Sequence, residues 1–196
     1  MDATGSMKGS IDNVKNYCVE IANILKNQAV LFDFKFGAVF YRDPIDCPNS
    51  DKNEFFDLTS NVGELQKFVD KKIKAEGGGD GDEDWVGGYI LALNMSWRTG
   101  NKLIIHIADA GAHGIHYSDK HKFRDQGPLL DECIIKCKQR DISIVSFQIG
   151  DHPKKSFQRV KMLYENKNVV IQDFDQNKKD PGYFTNLVVE SIIRVT

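Results

Sequence analysis

The sequence has little cysteine: four residues in 196, at positions 18, 47, 133 and 137. Thiols so few and scattered exclude a disulfide framework. The i,i+4 spacing of Cys133 and Cys137 puts that pair on one helical face as reduced core thiols, which fits the cytoplasm. No run of about 18 apolar residues occurs, which excludes a membrane-spanning helix within these residues, and no secretory leader is expected ahead of Asp2. An excess of either charge is also missing. Lysine and arginine total 26 against 28 aspartate and glutamate, a net charge of −2, so neither nucleic acid nor an anionic membrane is implied as a partner. Internal repeats and low-complexity stretches are absent. What is there, 41% hydrophobic and 28% charged residues, predicts a single domain over 1–196, large enough to bury a core.

Hydrophobic spacing divides the chain into alternating elements. Ile11, Val14, Cys18, Ile21, Ala22 and Leu25 recur at helical intervals and predict an amphipathic helix over 8–27. Phe32, Phe34, Phe36, Ala38 and Phe40 alternate with other residues as in a strand, which Asp43-Pro44 ends. A short strand is expected at 54–58. Helices are predicted from Val62 to Ile73, stopped by Gly77-Gly78-Gly79, and over 83–97. Leu103 to Ala108 is a near-continuous apolar run, the pattern of a strand covered on both faces. A helix entered at Pro128, a buried strand over 142–149, a helix near 155–165, a strand at 169–171 and a closing helix over 183–195 follow. This order predicts an α/β fold: a doubly wound, mainly parallel central sheet flanked by helices. Ligands of such sheets gather at the carboxyl ends of the strands.

One element is missing from that order. A helix beginning near Lys8 should be preceded by an apolar strand, yet only Met1 stands before Asp2. The expectation is a sheet lacking its first strand, whose two neighbours lose a hydrogen-bonding partner. Exposed apolar edges of that kind invite pairing with another chain.

The opening residues, Asp2-Ala3-Thr4-Gly5-Ser6, carry a carboxylate and two hydroxyls at every second position. On an extended or tightly looped backbone these oxygens converge, and convergent hard oxygens suit Mg²⁺ or Mn²⁺. Glu76-Gly77-Gly78-Gly79-Asp80 and Ile107-Ala108-Asp109-Ala110 are two more oxygen-bearing loops, the second at the end of an apolar strand. Together, in this order, the three segments resemble the von Willebrand factor A domain with its metal-ion-dependent adhesion site. Phe40-Tyr41-Arg42-Asp43 and His106-Ile107-Ala108-Asp109 are most similar to the A domains associated with atypical alpha-kinases. The resemblance implies a metal held by Asp2, Thr4, Ser6, Asp80 and Asp109, and a protein partner whose acidic side chain completes the metal shell. Asp80 stands where many members carry threonine. The extra charge makes the metal a weaker Lewis acid, bound more tightly by this chain and pulling less on a partner carboxylate.

Competing chemistries can be weighed on the residues. Asp80-Gly81-Asp82-Glu83-Asp84 begins like a calcium loop, but Trp85 replaces its glycine and Leu91 its final glutamate. Asp82, Glu83 and Asp84 are expected to cap the following helix. His113, His116 and His121 lack the spacing of a zinc site and are expected on a solvated loop, with His113 able to rim the metal. A Mg²⁺-dependent hydrolase or phosphatase using the same acidic cleft is the alternative function. In it Asp2 would be nucleophile or metal ligand, and a phosphatase of the aspartate-nucleophile class would need a second aspartate two residues after Asp2, where Thr4 stands. The leading expectation is a non-enzymatic, metal-dependent protein-binding module.

Overall fold

The computed structural model describes residues 1–9, 11–12, 16, 20, 23, 33–43, 53–79, 81–119, 125–175 and 181–195, with the backbone alone at 72, 181, 184 and 192–195. Its strands are β1 (Phe36–Phe40), β2 (Glu54–Thr59), β3 (Asp82–Glu83), β4 (Lys102–Ala108), β5 (Gly111–Ala112), β6 (Ile142–Gln148) and β7 (Val169–Asp173). A 3₁₀ turn covers Gly5–Gly9, and the helices are α1 (Val62–Lys72), α2 (Trp85–Leu93), α3 (Gly127–Gln139), α4 (Lys154–Leu163) and α5 (Pro181–Val195). Of the helix expected over 8–27, positions 11, 12, 16, 20 and 23 are helical. Val14, Cys18, Ile21, Ala22 and Leu25 lie outside the described residues.

β4, β6 and β7 form a parallel sheet in the order β4-β6-β7, while β1 and β2 pair antiparallel. Met1–Ala3 lies between these two sheets. Asp2 makes a parallel bridge with Tyr41. Met1 N donates to Val39 O, Tyr41 N to Met1 O and Ala3 N to Tyr41 O, while on the other side Asp2 N donates to Ile107 O at 3.0 Å. The expectation that β1 and β4 lose their shared partner is therefore corrected at the carboxyl ends of these strands. Three residues are long enough to bridge there, because alternate backbone groups of a strand face opposite neighbours.

Covering on both faces follows from the alternation of side chains along each strand. Ile104 and Ala108 of β4, Ile142 and Ile144 of β6, and Val169 and Ile171 of β7 face a cluster built with Trp85, Val86 and Tyr89 of α2, Leu130, Cys133, Ile134 and Cys137 of α3, and Phe157 and Val160 of α4. Leu103, Ile105 and Ile107, with Val145, Phe147 and Val170, face Met7 and, on α5, Leu187 and Val188. A third cluster packs Leu65 and Val69 of α1 on Ala3, Ile11 and Phe40. No helix among the described residues is long and apolar enough to cross a membrane.

Several boundaries differ from the sequence pattern: β1 begins at Phe36, with residues 33–35 outside it, and α2 ends at Leu93 rather than 97. α2 starts at Trp85 because Asp82 and Glu83 pair parallel with Gly111 and Ala112, and Asp84 alone caps the helix, its Oδ1 accepting from Gly87 N at 2.8 Å. α1 ends at Lys72, before the glycines, with Ile73 already extended. The chain then runs to Gly77 and Gly78, whose φ values of 85° and 92° suit glycine because a Cβ penalises that region.

Phe157 of the main cluster is fully buried, with its ring centroid 4.7 Å from Trp85 and 5.1 Å from His106. Phe157→Ala is expected to destabilise the chain by about 3–5 kcal/mol through lost burial and the cavity left behind, read as a fall in the urea midpoint with unchanged slope.

Candidate metal centre

Four of the five residues implicated by sequence come together at the carboxyl ends of the Met1–Ala3 segment and β4. Asp2 and Thr4 are fully buried. Asp2 Oδ1 accepts from Thr4 N at 2.9 Å and from Thr4 Oγ1 at 2.8 Å, so the carboxylate is gripped by the turn that follows it. Thr4 Oγ1 lies 3.1 Å from Ser6 Oγ, and Ser6 Oγ donates to Asp109 Oδ1 at 3.1 Å. The chain of oxygens thus runs from a buried carboxylate to exposed Ser6 and half-buried Asp109, open to solvent at one end. Asp80 lies outside the described residues.

The backbone explains the convergence. Tyr41 and Ile107 hold Asp2 from either side, and Met7 N donates to Thr4 O as the chain turns into the 3₁₀ segment. Gly5 N donates to Gly77 O at 2.7 Å, and Glu76 N to Ala3 O, which docks the glycine loop against the first motif. A Cβ at Gly5 would meet Gly77 O at 2.7 Å, closer than real contacts allow, so glycine is required where the two loops touch.

Asp2 Oδ2 is buried and has no hydrogen-bond partner among the described residues. A carboxylate oxygen in that position is costly while charged. Desolvation first, then the Asp109 charge, push the Asp2 carboxyl up to about 7, against the lowering effect of the two Thr4 hydrogen bonds. Two carboxylates and two hydroxyls make a hard-oxygen set that fits a small dication, and the orphaned Oδ2 supplies a reason for one. Among the described residues no group of three His, Cys, Asp or Glu side chains is placed to hold a metal, so hydroxyls are essential to the set.

Of the histidines expected on a solvated loop, His113 departs from that expectation. His113 is buried, with Nε2 2.5 Å from Oδ2 of the equally buried Asp43, which ties the turn after β5 to the end of β1. His116 is exposed, and His121 lies outside the described residues. His106, hidden in an apolar run, is the polar residue that spacing missed. Its Nε2 is 2.7 Å from Tyr41 Oη and its Nδ1 3.1 Å from Tyr89 Oη. Burial holds this imidazole well below the usual histidine range. Glu83 is likewise no cap: it is 2% exposed, under the glycine loop.

The family model for the von Willebrand factor A domain matches residues 1–178. Over 151 residues the chain is 35% identical to the alpha-protein kinase vwkA of Dictyostelium discoideum, a match spanning 76% of this chain and 23% of that protein. Among solved structures, the vWF domain of the type V pili tip protein Mfa5 from Porphyromonas gingivalis has a TM-score of 0.63 at 12% identity, covering 100% of this chain and 94% of that one. The VWA domain of SpRpn10 gives 0.62 at 13%, with the same coverage. The pilus adhesin SpaC of Lactobacillus rhamnosus GG, in its open conformation, gives 0.67 at 12%, covering 99% of this chain and 29% of that one. At such identities the structures speak for the fold alone. Domains of this family are adhesion and protein-interaction modules rather than enzymes. Sequence match and sheet topology agree, and the chain belongs to the von Willebrand factor A domain family, resembling members associated with alpha-kinases.

Proposed function

We propose that this chain is a metal-dependent protein-interaction domain, with Mg²⁺ or Mn²⁺ held by Asp2, Thr4, Ser6 and Asp109 and, from the adjoining glycine loop, Asp80. The observation that carries this reading is the buried Oδ2 of Asp2, without a hydrogen-bond partner among the described residues, in a carboxyl pushed up by desolvation and by Asp109. A dication relieves both causes at once, since it partners the oxygen and neutralises the repulsion. When bound, the metal would supply a positive centre able to accept an oxygen ligand. The protein's own residues supply the rest: Asp2 and Thr4 anchor the site in the core, while Ser6 and Asp109 stand at its solvent side. A partner carboxylate arriving from solvent is the ligand best suited to that open side.

The hydrolase reading gains no support from the geometry. Thr4, where an aspartate-nucleophile phosphatase needs its second carboxylate, donates its hydroxyl to Asp2. The proposal extends to a cytosolic setting, which the free, buried thiols of Cys133 and Cys137 support. The chain spans about a quarter of the length of vwkA, so any tie to kinase activity belongs to the proposal alone.

Thermal unfolding tests the reading first. A ligand that binds only the folded chain raises its stability, so millimolar Mg²⁺ is expected to raise the melting temperature over EDTA by several degrees. Asp109→Ala is expected to abolish that rise. An equal melting temperature in both buffers for the native sequence would overturn the proposal.

The pH dependence gives a second check. Asp2 sits at about 7 when folded against 3.8 for an ordinary aspartate. Between these values the folded chain holds a proton that the unfolded chain has released, so in EDTA stability falls as pH rises through that window. Below it both states are protonated, and above it the loss is complete. In saturating Mg²⁺ the metal takes the proton's place, and the fall is expected to flatten. Urea midpoints across the window, with and without metal, measure the difference.

A further inference from the structure

Tyr41, Arg42 and Asp43 follow β1 directly and are 2%, 3% and 2% exposed. An arginine and an aspartate withdrawn from water are costly unless their polar atoms are bonded. The bonds of this tripeptide go to three separate places. Its first residue holds the opening motif through backbone alone, Tyr41 O accepting from Ala3 N and Tyr41 N donating to Met1 O. Its second forks: Arg42 Nη2 donates to Lys74 O at 2.7 Å and Nη1 to Glu54 Oε2 at 3.3 Å. Lys74 stands two residues ahead of Glu76, which opens the glycine loop and donates to Ala3 O. Its third, Asp43, meets His113 Nε2 through Oδ2 at 2.5 Å, four residues beyond Asp109. The sides agree with an extended chain. Phe40 belongs to the cluster under α1 and Tyr41 to the one under α2, so Arg42 falls on the α1 side and Asp43 on the other.

We propose that Arg42, Asp43 and His113 are positioning residues of the metal centre. Through them one tripeptide sets the spacing of the opening motif, the glycine loop and the segment bearing Asp109, and none of the three is itself a ligand. The inference rests on the reading above. The glycine loop offers few side chains to pack, so its seat depends on directional bonds: Gly5 N to Gly77 O, Glu76 N to Ala3 O, and the arginine fork on Lys74 O. Asp109 lies between two ties, Ile149 N donating to Ala108 O behind it and Asp43 holding His113 ahead of it. A small dication tolerates little error in the placing of its oxygens. Removing a group that orients ligands from behind costs about 10–100-fold in metal affinity. Residues serving only the core would cost stability and leave affinity unchanged.

The test uses the full chain, stripped with EDTA and titrated with MnCl₂ by calorimetry below the melting temperature of every variant. Arg42→Lys keeps the charge, but a compact ammonium on a flexible stem lacks the fixed fork of the guanidinium. His113→Phe removes the bond to Asp43, whereas His113→Gln can return an N–H to the same oxygen. Arg42→Lys and His113→Phe are expected to weaken Mn²⁺ binding by about tenfold or more, and His113→Gln to recover most of the loss. Leu130→Ala, a truncation of a fully buried α3 side chain that breaks none of these bonds, is the control. Its melting temperature is expected to fall while its Mn²⁺ affinity stays native. Native affinity in both Arg42→Lys and His113→Phe would overturn the inference. So would an equal loss of affinity in Leu130→Ala, no recovery in His113→Gln, or failure of Arg42→Lys and His113→Phe to fold, since the contacts would then serve the architecture. An absence of Mn²⁺ binding by the native sequence, or unaltered binding by Asp109→Ala, would instead overturn the metal centre itself and this inference with it.

Discussion

Everything at the site depends on a three-residue stretch of backbone being hydrogen-bonded from both sides. Met1–Ala3 exchanges bonds with Val39 and Tyr41 on one flank and with Ile107 on the other. That double hold joins the antiparallel pair to the parallel sheet. It also fixes where Asp2 points and draws its carboxylate into a region that water does not reach. The desolvation of Asp2, the grip of Thr4 on one of its oxygens and the orphaning of the other follow from that placement. A carboxylate on a loose terminus would instead be solvated and unshifted.

The glycine loop is the second half of the same constraint. Gly77 O receives Gly5 N, and a Cβ at Gly5 would press against that same carbonyl, so the approach of the loops depends on the missing side chain at position 5. This close approach brings residues far apart in sequence to one spot: the opening motif, the end of β4, and the β3 segment beneath the loop. The parallel pairing of β3 with β5 is only two residues long, yet it displaces the start of α2 and carries Glu83 inward.

Legibility in the sequence tracked the scale of the signal. The apolar runs of β4 and β6 and the stripe Leu130, Cys133, Ile134, Cys137 are long enough for their periods to be read, and they predicted a sheet covered on both faces. Asp2, Thr4, Ser6 and Asp109 were readable because their residue types suit one chemistry and their order suits one topology. Features settled by single long-range contacts were not readable. His113 looked like a loop residue until Asp43, seventy positions earlier, became its partner. Glu83 looked like a cap because acidic residues before a helix ordinarily are. The bridging role of Met1–Ala3 was hidden for another reason: three residues are too few to display an alternation, and their strand character comes from Tyr41 and Ile107.

His106 carries a consequence of its own. An uncharged imidazole has one N–H and one lone pair, and burial keeps this ring uncharged. Its two nitrogens meet two phenols, from Tyr41 and Tyr89, so one phenol must donate to the ring while the other accepts from it. The three side chains form a directed wire through the core, with two possible polarities and no symmetric state. Reversing it requires the ring to change tautomer and both hydroxyls to swing together, in a space closed by Trp85 and Phe157. The residue that holds the backbone of Asp2 is also one terminus of that wire, so its polarity and the seat of the acidic site share a single tyrosine.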